Sequence, residues 1–189
     1  AKNTLGVFGS ADFDYKDFLF VTLQARNDWV SNLPKENNSM FYPSASVSFL
    51  PTSMDENLKS DNLSYLKVRA GYGTSAGFPG GYPTVNTVAQ STNVNGGAAG
   101  GIITNTVSNF QANPDLKPEL LGELEFGFDA RVWQNRIGIN ASYFERTSKD
   151  LIVFKPLPTS SGYTSTPDTM GKIEGNGIEV DVDLEMFEI

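Results

Sequence analysis

Residues 120–133 read L-L-G-E-L-E-F-G-F-D-A-R-V-W, and this segment decides the fold. From Glu123 to Val132 most large apolar side chains stand at every second position, with charged side chains between them. Successive side chains of a β-strand point to opposite faces, so the pattern predicts a strand with one apolar and one polar face.

Six further segments carry the same alternation in the rest of the chain. The clearest of them sets Leu19, Val21 and Leu23 against Thr22 and Gln24. The first segment departs from the pattern at one position, where Phe8 stands on the polar side. The alternating residues of these six segments fall within 5–14, 18–29, 44–49, 65–74, 137–144 and 178–184.

The connections between the segments are alternately compact and long. Tight turns are predicted at residues 15–17 and 134–135, a polar loop at 31–39, and long loops rich in Gly, Ser, Thr and Pro at 75–118 and 148–171. The connection at 51–64 is longer than a tight turn, and Ser53 with Glu56 forms an S-x-x-E capping box that predicts a short helical turn. The order predicts an antiparallel up-and-down sheet, with short turns on the periplasmic side and long loops outside.

Composition excludes several classes of function. The chain has no cysteine and no histidine, which removes disulfides, thiolate metal sites and Ser-His-Asp or Cys-His catalysis. With 14 Lys and Arg against 22 Asp and Glu, the net charge of −8 argues against a nucleic-acid partner. We predict no cofactor and no metal, and no apolar run reaches the roughly 20 residues of a membrane-spanning helix. No secretory signal is visible in the first residues.

Alternation also describes soluble antiparallel sheets, so a soluble β-sandwich is the first alternative. Three features favour a barrel in lipid. The segments are about nine to eleven residues long, longer than the usual five or six of soluble strands. Aromatic side chains such as Tyr15, Trp29 and Trp133 stand near segment ends, as in the two girdles of membrane barrels. The polar faces carry charges of both signs, which a hydrated lumen accepts.

We therefore predict an all-β fold, an antiparallel transmembrane β-barrel segment of about seven strands. An odd number of strands does not close a bacterial barrel, and the chain stops after the seventh strand without a closing partner. We expect it to be a part of a larger barrel. The predicted lumen-facing side chains are Arg26, Lys67, Arg69, Glu123, Glu125, Asp129, Arg131, Glu179, Asp181 and Asp183.

Three carboxylates, those of Glu179, Asp181 and Asp183, share one strand face at a spacing of about 6 to 7 Å. A calcium site or a glycosidase pair is conceivable at this spacing. We favour a solvated wall that pairs in part with the cations of the fourth strand, Lys67 and Arg69. The carboxylates of the fifth strand admit the same two interpretations.

Aromatic residues in the long loops are candidates for recognition, because exposed loops commonly carry it. They could stack on a sugar ring or contact a lid protein, or they could anchor the fold of the loops. These residues are Phe78, Tyr82, Phe110 and Tyr163. The glycine clusters at 80–81 and 97–101 do not match a phosphate-binding loop, and flexible outer loop is the prediction there.

The segment N-P-D-L-K-P-E at residues 113–119 resembles the N-P-x-L-K-P-E stretch that precedes a strand in TonB-dependent outer-membrane receptors. Four more strings resemble barrel segments of the SusC/RagA branch, known from Bacteroidota. They are F-Y-P-S at 41–44, Y-L-K-V-R-A-G-Y-G at 65–73, Y-F-E-R-T-S-K-D-L-I at 143–152 and N-G-I-E at 176–179.

The resemblance implies a 22-stranded barrel with an N-terminal plug, located in the outer membrane and facing its lipid. It implies import of glycans or peptides with energy from TonB, beneath a SusD-like surface lipoprotein. Residues 1–189 would then be part of the barrel domain, without the plug, the TonB box or the remaining strands. Catalysis is not expected. The alternatives are a structural or adhesin barrel without transport and a carbohydrate-active soluble β-sandwich.

Overall fold

The computed structural model describes residues 2–93 and 102–185. Seven long strands form one sheet, and two short hairpins stand in the long loops. The strands are β1 (Thr4–Tyr15), β2 (Leu19–Val30), β3 (Ser39–Phe49), β4 (Leu63–Gly77), β5 (Val88–Asn93), β6 (Ile102–Val107), β7 (Glu119–Val132), β8 (Ile137–Lys149), β9 (Ile152–Pro156), β10 (Ser165–Thr169) and β11 (Lys172–Leu184).

The seven-stranded sheet has the order β1-β2-β3-β4-β7-β8-β11, and all of its neighbours are antiparallel. Each long strand therefore lies beside the long strand that precedes it in sequence. This confirms the predicted up-and-down order. Within the described residues β1 and β11 each have one unpaired edge, so the sheet is not closed into a barrel.

The register separates the side chains into two faces across all seven strands. One row runs Phe13, Val21, Val47, Ala70, Phe126, Tyr143, Ile178, and we call its side of the sheet the apolar face. The neighbouring row runs Asp12, Thr22, Ser46, Gly71, Glu125, Phe144, Gly177, and its side is the polar face. Phe8 lies on the polar face opposite Arg26, as its place in the pattern predicts.

The apolar face is exposed across the sheet. Ile178 is 74% and Val180 59% exposed, and the large apolar side chains of β1 to β8 on this face are exposed or partly exposed. Among the hydrophobic residues that are buried in the described part of the chain, only Ala130 lies on this face. No second layer covers this face within residues 2–93 and 102–185, whereas a soluble β-sandwich places a second sheet there.

The two ends of the sheet differ in their connections. At one end, residues 16–18 and 133–136 make tight turns, where Lys16, Asp17, Trp133, Gln134 and Asn135 have positive φ angles. At the other end stand residues 31–38, 78–93, 102–118 and 150–171. We call these the short-turn end and the long-loop end. Aromatic rings cluster at the first turn, where Phe18 contacts both Tyr15 and Phe49 edge to face.

The connection from β3 to β4 contains the predicted helical turn, but the predicted capping box is wrong. Helix α1 spans Pro51–Met54 and places Ser53 inside it, and a 3₁₀ turn follows at Glu56–Leu58. Asp55 caps that turn, with its carboxylate accepting from the Asn57 backbone N–H at 2.9 Å. Asp55 occupies the N-cap position directly before the turn, whereas Ser53 lies inside α1 and cannot cap it.

The long loops contain regular structure that the alternation does not predict. The hairpins β5/β6 and β9/β10 lie in them, and β4, β8 and β11 reach further towards the long-loop end than predicted. There both faces carry polar residues, such as Glu145 and Glu174 on the apolar side, so the alternation of polarity disappears while the strand continues. The glycine cluster at 97–101 lies outside the described residues.

No helix in the described part of the chain has the length and apolar character needed to span a membrane.

Candidate functional site

The polar face carries an ion-pair network centred on Arg69 of β4. The Arg69 guanidinium contacts the Asp129 carboxylate at 2.8 Å and the Glu125 carboxylate at 3.4 Å, both on β7. It also donates to the Asn140 side-chain oxygen on β8 at 3.3 Å. Lys67 lies 3.8 Å from Asp129. The network therefore links three neighbouring strands across the polar face.

Gly127 makes room for this network, because Arg69 is its direct cross-strand partner. A Cβ at residue 127 would lie 2.8 Å from the Arg69 Cζ and Nε atoms. Glycine therefore lets the guanidinium lie flat against the sheet, within reach of the carboxylates on either side along β7.

Replacing Gly127 with Ala is expected to destabilise the full-length protein by about 1 kcal/mol, because Arg69 must give up part of its network. Chemical denaturation in lipid vesicles measures this. Gly9→Ala is the matched control, since a Cβ there meets nothing within 4 Å, and its effect should be about 0.5 kcal/mol or less. Equal losses at both glycines would contradict the role of Gly127.

Two more charged contacts lie on the polar face. On β2, Arg26 contacts Asp28 at 2.8 Å, and the Tyr42 hydroxyl donates to the same carboxylate. Between β7 and β8, Arg146 pairs with Glu123. The Arg146–Glu123 pair is partly exposed, so it contributes little stability on its own. The Asp28 side chain is buried, and both Arg26 and Tyr42 hydrogen-bond to its carboxylate.

All ten predicted lumen-facing residues lie on the polar face, but one predicted pairing is wrong. The cations of β4 bind the carboxylates of β7, and Glu179, Asp181 and Asp183 of β11 lie two strands further away. They stand opposite Ser142, Asn140 and Gly138, and no ion pair joins them within the described residues. Arg131 also has no ion pair there. That this face lines a lumen stays a prediction at this point.

In residues 2–93 and 102–185, no group of three or more carboxylates is placed to hold a metal ion. The carboxylates of β11 all project from one strand, so they form a row and do not converge on one point.

The long-loop end is held together by a small apolar core. Val30 at the end of β2, Leu33 and Leu116 are buried, and Phe78 and Ile152 pack against them. Val30 lies two residues after Asp28 on β2, and the register with β1 continues unbroken to the pair Thr4–Val30. Its side chain therefore points to the polar face, as that of Asp28 does. The loops therefore fold over the polar side of the sheet, and they cover it at this end.

The motif N-P-D-L-K-P-E at 113–119 connects the loops around this core. Leu116 has no exposed surface. The Asn37 side chain donates to the Asp115 and Leu116 carbonyls at 3.3 Å, and Asn113 donates to the Pro167 carbonyl at 2.9 Å. The Glu119 carboxylate accepts from the Ile152 backbone N–H at 2.7 Å. The motif therefore joins three separate loops.

Asn32 makes a second connection between loops. Its buried side-chain amide donates to the carbonyls of Pro79 at 2.6 Å and Gly81 at 2.9 Å. The side-chain oxygen has no hydrogen-bond partner within the described residues. Gly81 has a φ of +63°, in the left-handed region that favours glycine, so the loop turns sharply around this amide.

The structure separates the four loop candidates. Phe78 packs on the apolar core, with the Lys2 ammonium 5.7 Å from its ring, so it anchors the loop. Tyr82 and Phe110 line one uncharged cleft, where the Phe110 ring lies 5.5 Å from that of Phe154. Tyr163 does not line this cleft. Recognition by Tyr82, Phe110 and Tyr163 stays a prediction.

Sequence reasoning missed several contributors to these contacts. The alternation already places Asp28 and Asn140 in the polar rows of their segments, although they are not among the ten lumen-facing candidates, and Arg146 continues the same parity. Asn32 and Leu116 lie in loops without alternation, and no local signal marks them as buried.

The strands place apolar side chains on one exposed face and charged side chains on the other. Short turns join them at one end and long loops at the other. Together these features define the class of outer-membrane β-barrels. The chain belongs to the TonB dependent receptor-like β-barrel family, which it matches over residues 1–188. This confirms the predicted family. Members of this family are outer-membrane proteins, so the predicted localisation is confirmed, and they are receptors and transporters rather than enzymes.

Two relatives from Formosa agariphila are called TonB-dependent receptors. Receptor P3 is 28% identical over 181 residues, covering 94% of this chain and 18% of the relative. Receptor P26 is 26% identical over 174 residues, covering 91% of this chain and 17% of the relative. The chain thus spans roughly a fifth of the length of these relatives.

Solved structures share the fold. The RagAB peptide transporter superposes with a TM-score of 0.82 at 21% identity, over 99% of this chain and 20% of that chain. The siderophore receptor PirA from Pseudomonas aeruginosa gives a TM-score of 0.61 at 15% identity, over 95% of this chain and 30% of that chain. At these identities the likeness establishes the fold.

Proposed function

We propose that residues 1–189 form part of the barrel wall and the extracellular loops of a TonB-dependent nutrient importer. The apolar face contacts outer-membrane lipid, the polar face lines a hydrated lumen, and the long-loop end lies outside the cell. The observation that carries this proposal is the separation of the two faces across all seven strands. An exposed apolar face is costly in water and favourable in hydrocarbon.

The ten predicted lumen-facing residues, Arg26 and Asp181 among them, would then meet water, the plug or the passing substrate. The inward fold of the loops supports this orientation, because the apolar core around Leu116 narrows the mouth on the polar side. The wall has no chemical step to perform, and we propose no catalysis for this chain.

Import of a peptide or a glycan is the proposed activity of the whole protein. The RagAB peptide transporter, with its TM-score of 0.82, supports peptides, whereas the siderophore receptor PirA superposes less well at 0.61. A SusD-like lipoprotein over the mouth, an N-terminal plug and a TonB box outside residues 1–189 complete the proposal. The sequence strings shared with the SusC/RagA branch support these partners.

The cleft of Tyr82, Phe110 and Phe154 is the proposed contact point for substrate or lid. Phe110 and Phe154 are 53% and 64% exposed at the long-loop end. Exposed aromatic side chains beside an uncharged cleft offer a large contact area at low entropic cost.

The test is uptake by cells that carry the full-length gene, with labelled peptides in one arm and labelled glycans in the other. The double variant Phe110→Ser, Phe154→Ser is expected to lower TonB-dependent uptake about tenfold, because these two aromatic side chains supply much of the proposed contact. Val107→Ser with Val153→Ser is the matched control, since both are exposed loop residues that do not line the cleft.

Uptake that persists unchanged without TonB would contradict an importer of this kind. If deletion of the gene abolishes attachment of the cells to surfaces but leaves uptake unchanged, the result would favour the adhesin alternative. Equal uptake by both double variants would remove the cleft from the proposal and leave the barrel assignment in place.

A further inference from the structure

We propose that the outer edge of strand β9 binds an extended peptide, which adds to the β9/β10 hairpin as a further strand. This inference rests on the proposed function, in which the cleft at the long-loop end contacts the substrate. It deepens that proposal by naming the substrate class, a short uncharged peptide, and the way in which the loops hold it.

The hairpin is extended by another segment on one side only. On the side of β10, Ser165 forms a parallel bridge with Phe110, and its carbonyl accepts from the Gln111 N–H at 2.9 Å. On the other side β9, which has five residues, has no partner strand within the described residues. β9 is therefore the open edge of a small sheet, and an open edge is a template for pairing with another chain.

The hydrogen bonds of the hairpin show which backbone groups of β9 point outwards. Met170 donates to the Leu151 carbonyl at 3.0 Å, and Leu157 donates to the Thr164 carbonyl at 3.0 Å. In an antiparallel pair, residues that bond to the partner strand alternate with residues whose backbone groups face the other side. In the register of this hairpin, the residues that face the open edge are Ile152, Phe154 and Pro156.

The open edge offers three carbonyls and one N–H. The Ile152 N–H is already used, since it donates to the Glu119 carboxylate at 2.7 Å. Pro156 has no N–H. The remaining groups are the Phe154 N–H and the carbonyls of all three residues, and no hydrogen bond to them is present within the described residues. Phe154 is 64% exposed, so this edge is accessible to a ligand.

This set of groups matches an extended peptide. A peptide residue opposite Phe154 exchanges two hydrogen bonds with it in an antiparallel arrangement. The peptide residues two positions before and after it donate to the carbonyls of Pro156 and Ile152. Carbonyls on one side of a strand lie about 6.8 Å apart, and N–H groups on one side of a peptide have the same repeat. The hydroxyl groups of a saccharide have no such repeat, so the edge favours a peptide over a glycan.

The adjoining cleft provides the surface for the side chain of the central peptide residue. Phe154 and Pro167 are cross-strand partners, and the Phe110 ring lies 5.5 Å from that of Phe154. All three residues line the uncharged cleft together with Tyr82. A peptide residue opposite Phe154 carries its side chain on the same face of the sheet as the Phe154 ring. An apolar side chain at that position therefore continues the apolar surface of the cleft.

The experiment uses the full-length protein in detergent, immobilised on a resin. The probe is a synthetic pool of octapeptides built from Gly, Ser, Thr, Val and Phe, with both ends blocked. Mass spectrometry identifies the peptides that the protein retains, and fluorescence anisotropy measures the dissociation constant of the most strongly retained one. If the protein retains no peptide above the empty resin, the proposal is overturned.

The variants Phe154→Pro and Phe154→Ala form a matched pair, because both remove the ring and only proline removes the N–H. This N–H makes no bond to β10, so proline is tolerated at this edge position. Phe154→Pro is expected to bind the peptide about threefold to tenfold more weakly than Phe154→Ala. Equal affinities would count against strand addition. Protected hydrogen exchange at the Val153 and Lys155 amides, which face β10, shows that the hairpin is still folded.

Methylation of the peptide nitrogens tests the same pairing on the wild-type protein. A methyl group on any of the three alternate amides that face β9 should weaken binding about tenfold or more, because it removes a donor and blocks the approach of the strands. A methyl group on an amide between them should change binding about twofold or less. Equal sensitivity at every amide would overturn the proposal, whether or not Phe154→Pro folds.

The outcomes separate this inference from the proposed function. If uptake depends on TonB but methylation shows no alternation, the importer is retained and strand addition fails. If cells take up labelled glycans and no peptides, the peptide ligand is wrong while the barrel assignment remains. If Phe154→Pro loses a surface lipoprotein but binds peptide as Phe154→Ala does, the edge binds a protein partner, and this inference also fails.

Discussion

Replacing Val180 with Arg in the full-length protein is expected to destabilise the membrane-inserted barrel by about 2–4 kcal/mol. Val180 lies on the apolar face opposite Ala141, and it is 59% exposed. In lipid this position requires the guanidinium to enter hydrocarbon. Unfolding by denaturant from lipid vesicles measures the change in free energy.

Asp181→Arg is the matched control, because it introduces the same side chain one residue further along β11. Asp181 lies on the polar face opposite Asn140 and has no ion pair within the described residues. Its replacement should therefore be tolerated in a hydrated lumen. Equal penalties at the two positions would contradict the assignment of the two faces, and with it the proposed function.

Leu116→Ala is expected to cost about 2–5 kcal/mol, the usual range for a fully buried leucine. Leu116 has no exposed surface and packs between Val30 and Leu33. Because the core belongs to the loops, we expect the loss to appear as local opening at the long-loop end. Hydrogen exchange of residues 31–38, 109–118 and 150–171 should speed up while the β7 and β8 amides stay protected.

The control Leu58→Ala removes an exposed leucine at the short-turn end, where Leu58 is 45% accessible. Its effect should stay within about 0.5 kcal/mol. If hydrogen exchange in Leu116→Ala speeds up uniformly across the sheet, the loop core unfolds together with the sheet. That result would contradict the local opening expected here.

Local alternation predicted the sheet well because strand parity depends only on position in the sequence. Every residue predicted for the polar face lies there, and even the exception at Phe8 is correct. The pairing of charges was less predictable. Arg69 meets Glu125 and Asp129 rather than the carboxylates of β11, because β7 pairs with β4 and β11 lies two strands beyond β7.

The loops were the least predictable part. The hairpin β9/β10 has strands of five residues without a two-faced pattern, so nothing in its local sequence separates it from irregular loop. The motif at 113–119 was recognisable as a family string. Its role in joining three loops became visible only where Asn37 and Glu119 contact segments distant in sequence.

The sequence by itself determined which side chains share a face, the order of the seven long strands, and the exclusion of cysteine and histidine chemistry. These follow from short-range periodicity and composition. Tertiary structure alone decided that Arg69 lies flat over Gly127 and that Leu116 is the centre of the loop core. Such contacts join residues far apart in sequence, and strand register and loop path place them rather than any local preference.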